Sequence, residues 1–208
     1  MKKITIEPAE LDKISVPEDI YKIIDPERVK SILTKWRENP MTIPYISKVT
    51  VNISIGESGE KLMKAMRLLE QLTGAKPVPR RAKKTIREFN IRRGENIAAI
   101  VTLRGDKADE FLRRIFQGLG GRIKASSFDP HGNLSIGIRE HLVIPGTRYD
   151  PEIGIFGMDI SVTFEKKGYR IAKRRRERTR VPKRHRVSRE EAMFLLTLKY
   201  GVSIIPSR

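Results

Sequence analysis

Twelve Lys and Arg crowd into the segment from Lys166 to Arg186, against a single acid, Glu177. No fold can draw such a run into a core, because a charge taken out of water without a partner is strongly disfavoured. A second cluster, Lys76 to Arg93, holds eight bases and one acid. The two segments carry +11 and +7, which together equal the whole formal net charge of +18. Residues 1–44, by contrast, are neutral, with eight bases and eight acids. An otherwise balanced globular chain therefore displays two cationic surfaces, and like charges held so close call for a polyanion.

A short charge run is ordinarily just a solvated face, but twelve bases in one run exceed that. Membrane, heparin and nucleic acid could each supply the counter-charge. Nucleic acid fits best, since the tract is rich in Arg, whose planar fork matches phosphate, and contains Tyr169, which can stack on a base. The tract lacks the apolar stripe that lies in a bilayer interface. With 208 residues, 38% of them apolar, the chain can bury the core of one full-sized domain with an appendage. It has no Cys, which excludes a disulfide framework, a thiolate zinc site or a thiol nucleophile and fits a reducing cytosol. The opening MKKITIEPAE has no apolar h-region, and an apolar stretch such as Ile97 to Val101 is far short of the ~18 residues of a membrane span. Neither a signal peptide nor a membrane segment is expected.

Local patterns divide the chain into an appendage with one helix, residues 1–40, and a body, residues 41–208. In the appendage a polar lead precedes a helix capped by Asp25, with Pro26 at its first position and Val29, Ile32, Leu33 and Trp36 at helical spacing, ended by Asn39-Pro40. Its apolar stripe is expected to pack on its own domain. Residues 46–55 alternate apolar and polar as a strand. After the turn GESGE, residues 61–73 place Leu62, Met66, Leu69 and Leu72 on one helical face, with Gly74 as the stop. The basic stretch broken by Pro77 and Pro79 reads as an exposed hairpin-like excursion before the apolar run 97–103. Asp106 caps a second helix through Gln117, with Ala108, Phe111, Leu112, Ile115 and Leu119 inward. Strands are expected over 133–144 and 157–166, and Ser188 to Glu191 is a capping box opening a last helix that Gly201 ends. The sum is α+β, a mostly antiparallel sheet with helices packed on one face and long basic loops.

Catalytic constellations are not evident. His131, His141 and His185 lack metal-ligand spacing, and Glu190-Glu191 is explained by capping. The turn Gly56 to Lys61 has two residues between its glycines where a nucleotide-binding loop has four, and its two acids oppose a triphosphate. Gly56, Ser58 and Gly59 can present backbone N–H groups to one phosphate at a helix N-terminus, or form a plain N-cap turn. No enzyme, cofactor or metal is expected.

The segments VNISIGESGEKL (51–62), LTGAKPV and RAKKTI (72–86), FNIRRGE (89–95), VTLRG (101–105), FDPHGNLSIGIREH (128–141), YDPEIGIFGMDI (149–160), and GYRIAKRRR with PKRHR (168–186) occur in order. Over residues 39 to about 203 the chain resembles the universal 5S-rRNA-binding family of the large ribosomal subunit, fifth in its naming series, in its archaeal form. The resemblance implies a cytoplasmic ribosomal protein of the central protuberance. Its implied partners are 5S rRNA, large-subunit rRNA, the peptidyl-site tRNA, a small-subunit head protein met as an intersubunit bridge, and neighbouring large-subunit proteins. Carried over by motif, Asn52, Ser54, Gly56, Ser58, Gly59 and Lys61 face 5S rRNA. Arg80, Arg81, Lys83, Lys84 and Thr85 approach tRNA. The basic tract of Arg170, Lys173, Arg174, Arg175, Arg176, Arg178, Arg180, Lys183, Arg184 and Arg186 meets rRNA. Pro79-Arg80 stands where the family more usually has Arg-Thr, and the first 38 residues lie outside the family pattern. The rival readings are a free RNA-binding or RNA-modifying factor and a nucleotide-dependent enzyme built on GESGEK.

Overall fold

The computed structural model describes residues 17, 20, 21 and 23–206; the polar lead expected over most of the first 24 residues lies outside them. In chain order the elements are α1 (Pro26–Glu38), β1 (Tyr45–Ser54), α2 (Glu60–Thr73), β2 (Val78–Arg81), β3 (Asn96–Leu103), α3 (Asp106–Gly118), β4 (Arg122–Lys124), β5 (Leu134–Ile138), β6 (Met158–Glu165), α4 (Arg170–Lys173), α5 (Arg189–Tyr200) and β7 (Ser203–Ile205). Five strands form one sheet in the order β2-β3-β1-β6-β5, and β4 and β7 form a second of two parallel strands. The chain is α+β, and β3 pairs antiparallel with both β1 and β2.

Two compact units divide the chain, one of residues 48–118 and 135–161, the other of residues up to 47, 119–134 and 162 onward. In the first, Val49, Val51 and Ile53 of β1 are buried together with Val101 and Leu103 of β3. α2 packs on β3 through a face of Leu62, Ala65, Leu68, Leu69 and Leu72. Met66, expected on that face, is only half-buried, because Ala65 and Leu68 take the sheet side. α3 buries Ala108, Phe111, Leu112, Ile115 and Phe116, and its Arg114 donates to the Leu72 carbonyl near the end of α2. Pro79 sits in the edge strand β2, opposite Ala99, and the edge of a sheet is where proline is tolerated. A register shift between Arg80 and Arg81 interrupts the ladder, which resumes with Arg81 opposite Asn96.

In the second unit Trp36 of α1 is fully buried, its ring 5.4 Å from that of Phe194 on α5. The helix stripe of Val29, Ile32 and Trp36 thus packs on the protein itself, with Leu33 half-buried. Asp25 occupies the N-cap of α1, but its side chain makes no capping bond. The capping box of α5 is present, with the Ser188 hydroxyl accepting from the Glu191 N–H and the Glu191 carboxylate accepting from the Ser188 N–H. One expectation is corrected. The strand expected over 133–144 stops at Ile138, and His141–Val143 form a single 3₁₀ turn whose His141 is buried. β4 and β7, three residues each, carry no sequence signal that marks them as strands.

Candidate nucleic-acid interface

Each cationic segment has a different internal construction. The hairpin between β2 and β3 is pinned rung by rung. Ala82 N–H donates to the Glu95 carbonyl, and Gly94 N–H to the Ala82 carbonyl. Arg93 N–H donates to the Thr85 hydroxyl at 3.0 Å, and Ile86 and Ile91 exchange both backbone bonds. Glu95 closes the base, accepting from the Arg92 N–H and from the Ser58 hydroxyl at 2.6 Å, and these bonds, Ser58 foremost, hold its carboxyl below the usual range. Thr85 is thus occupied inside the loop. The side chains of Arg80, Arg81, Lys83, Lys84, Arg87, Arg92 and Arg93 are exposed; none forms a salt bridge among the described residues, although the Arg92 charge acts on Glu95.

The arginine-rich segment is a loop clamped at its neck. Lys166 is 4% exposed; its Nζ lies 2.7 Å from a Glu191 carboxylate oxygen and donates to the Arg186 carbonyl at 3.3 Å, which joins the two ends of the segment. The ring of His185 bonds the Lys167 carbonyl at 2.8 Å and lies against that of Tyr169, whose phenol burial pushes up. Within the loop Lys173 pairs with Glu165. Arg174 donates twice to the carbonyl of Glu177, a residue in the left-handed region at φ +50°, and Arg186 donates to the Val181 carbonyl. Of the bases expected to meet rRNA, Lys173, Arg174 and Arg186 therefore shape the loop. Arg170, Arg175, Arg176, Arg178, Arg180, Lys183 and Arg184 make no such side-chain bond with the described residues. Nothing in the sequence marks that division.

The residues assigned to 5S rRNA fall into two places. Asn52 and Ser54 project from the face of β1 opposite Val51 and Ile53, and line a concavity of about 540 Å³ together with Gly137, Arg139, Gly157 and Asp159. Gly157 belongs there by size, since a Cβ would lie 3.0 Å from the Arg139 carbonyl oxygen. Arg139, just past β5, is an exposed cation of this face that sequence reasoning did not single out, although it lies within the quoted FDPHGNLSIGIREH motif. The remaining four lie in the turn after β1. Gly56 at φ +83° and Gly59 at φ +107° require glycine, and Gly59 is the N-cap of α2 with no side-chain capping bond. Ser58 is turned toward Glu95, so it does not act as the cap of α2. Lys61 pairs with Glu57 at 2.5 Å and is not a free cation of the turn. Among the described residues no group of three or more His, Asp or Glu could hold a metal, and no helix is long and apolar enough to cross a membrane.

Comparison with known proteins meets the same segments. The family model "Ribosomal protein L5" matches residues 39–92, and the companion model for the C-terminus of the same ribosomal family matches residues 96–194. The chain belongs to the ribosomal protein L5 family. It is 57% identical over 183 residues to the large ribosomal subunit protein uL5 of Aeropyrum pernix, covering 88% of this chain and 95% of that protein. It is 58% identical over 168 residues to uL5 of Sulfurisphaera tokodaii, covering 80% and 95%. Over 178 residues it is 48% identical to uL5 of Pyrobaculum aerophilum, covering 83% and 99%. This L5-family chain is of the archaeal type, and helix α1 precedes the first family match. The hairpin, the concave face of the sheet and the arginine-rich loop all lie within the matched span.

Proposed function

We propose that this protein, a structural and non-enzymatic constituent of the large ribosomal subunit, binds 5S rRNA and fastens it to large-subunit rRNA in the central protuberance. The observation that carries the reading is the set of exposed cations on two internally braced segments, most of them in no salt bridge with an acid of the described protein. A braced loop whose free bases point to solvent is already organised for phosphate, so binding is not opposed by the entropy of ordering it. Side chains read A-form grooves poorly, so specificity is assigned to shape and to unpaired bases lying on the open sheet face at Asn52, Ser54 and Arg139. The hairpin cations Arg80, Arg81, Lys83 and Lys84 are assigned to the peptidyl-site tRNA, and the segment 128–133 to rRNA or the bridge to the small-subunit head.

Sedimentation of a cell lysate, with the chain tracked by mass spectrometry, tests the reading. The expected result is co-migration with large subunits through a high-salt wash; recovery in the ribosome-free fraction would favour a free RNA-binding factor. The partition of sites has its own test. Arg81→Ala with Lys84→Ala is expected to leave 5S rRNA binding within about twofold and to weaken tRNA placement, measured by filter binding and by toeprinting. A large loss of 5S affinity in that double variant would show the partition to be wrong.

A further inference from the structure

Phosphate neutralisation makes no use of the side chain at the apex of the β2–β3 hairpin. Phe89 there is 68% exposed, more than any other large apolar side chain of the described residues. The other six Phe are buried or half-buried. A single exposed apolar residue is ordinary. Phe89, however, sits on a fixed support. Residues 87–89 form one 3₁₀ turn, and Asn90 follows in the left-handed region at φ +54° and donates to the Arg87 carbonyl at 3.1 Å. The Ile86–Ile91 rung beneath closes the turn with bonds of 2.9 and 3.1 Å. Ile86, 42% exposed, adds an apolar neighbour in the sequence. Around this apex the chain places Lys84, Arg87, Arg92 and Arg93 against one acid, Glu88.

An exposed aromatic ring carried by a hydrogen-bonded turn among cations suits one class of partner. An apolar pocket on a protein would have to be ringed by acids to receive it, whereas RNA supplies phosphates for the bases and the π face of a nucleobase for the ring in one ligand. Duplex RNA keeps its bases stacked and offers no free face. We propose that Phe89 stacks on an unstacked base of the RNA that this hairpin engages, which adds a salt-independent contact to the charge-driven ones. The inference rests on the RNA reading of the hairpin.

The experiment measures the affinity of the full chain for deacylated tRNA, which has unpaired loop bases, and for a fully paired RNA duplex of similar length, from 50 to 200 mM KCl. Phe89→Leu keeps an apolar side chain and removes the ring. It is expected to weaken tRNA binding about tenfold, with the slope of log affinity against log salt unchanged and duplex binding unaffected. Phe89→Trp is expected to keep the parent affinity, and its exposed indole to lose emission on titration with tRNA but not with duplex. Trp36 is 0% exposed and contributes a constant background. Parent-like tRNA affinity for Phe89→Leu, or an equal loss on the duplex, would overturn the stacking contact. Binding of the parent hairpin to a small-subunit head protein with Phe89 at the contact, and no response to RNA, would overturn it in favour of a protein partner. The charge reading fails separately, if Arg92→Ala with Arg93→Ala leaves the salt slope for tRNA unchanged.

Discussion

At the residue scale, buried polar groups tie the protein to pH and to steric fit. His141 is 1% exposed; its Nδ1 accepts from the Phe156 N–H at 3.3 Å, and its backbone N–H donates to the Phe156 carbonyl. Burial outweighs the nearby Glu140 carboxylate and pushes the imidazole below its ordinary value. The unfolded chain therefore takes up this proton at higher pH than the folded one. The stabilising contribution is complete above about pH 6.5 and is lost as pH falls from there toward the folded-state value. Urea unfolding at pH 7.5 and 5.5 is expected to show a lower midpoint at the acid end, and His141→Gln to flatten that difference. Gly132 makes a steric prediction. It sits at φ +77°, and a Cβ would lie 2.8 Å from the Ser188 carbonyl oxygen and 2.9 Å from Val187 Cγ1, hard against the start of α5. Gly132→Ala is expected to cost roughly 2 kcal/mol or more. At Gly94, with φ +90° and nothing within 4 Å, Ala meets backbone strain alone and is expected to cost ~1 kcal/mol. Chemical denaturation of the two variants separates the steric contribution from the backbone one.

At the scale of the element, what is legible in the sequence is whatever is decided locally. The alternation from Val49 to Ile53, the stripes of α2 and α3 apart from the half-buried Met66 and Leu119, and the Ser188–Glu191 box appear where their patterns put them. What is not legible is decided by distant neighbours. Ile144 looks like strand but is buried after a turn beside His141, and Ile123 pairs with Ile204, eighty-one positions away. The candidate site divides the same way. That the arginine-rich segment is exposed follows from its charge. That Lys166, Lys173, Arg174 and Arg186 serve the loop itself follows from where Glu165, Glu191 and two carbonyls come to lie. The neck clamp is the clearest case. Lys166→Met leaves the Glu191 carboxylate buried without its cation and is expected to cost ~3–5 kcal/mol in chemical denaturation. Lys166→Met with Glu191→Leu removes both charges and is expected to cost less than the single variant. In both, trypsin is expected to cut the 174–180 stretch faster than in the parent, because the tie to the Arg186 carbonyl is gone.

At the scale of the whole molecule the net charge of +18 is not a uniform field. Part of it builds the loop and part is left to solvent, and the two parts respond differently to salt. A base that neutralises an RNA phosphate releases a counterion and contributes about 0.7–0.9 to the slope of log affinity against log salt. A base engaged inside the protein contributes nothing to that slope, whatever its effect on stability. If about six phosphates are engaged, rRNA affinity of the parent falls by ~10³ between 50 and 200 mM salt. Arg175→Ala, Arg176→Ala and Arg178→Ala combined are expected to lower the slope by about 2–3 and to leave the unfolding midpoint within experimental error, since none of the three bonds within the described protein. Lys173→Ala with Arg186→Ala is expected to do the reverse, lowering the midpoint and weakening binding at every salt concentration with little change of slope. Filter binding to a 5S rRNA–large-subunit rRNA assembly across that salt range reads the slopes, and chemical denaturation reads the midpoints. Equal slope losses in the two variants would mean that the braced cations also reach phosphate, and that the distinction between loop-building and RNA-facing bases does not hold.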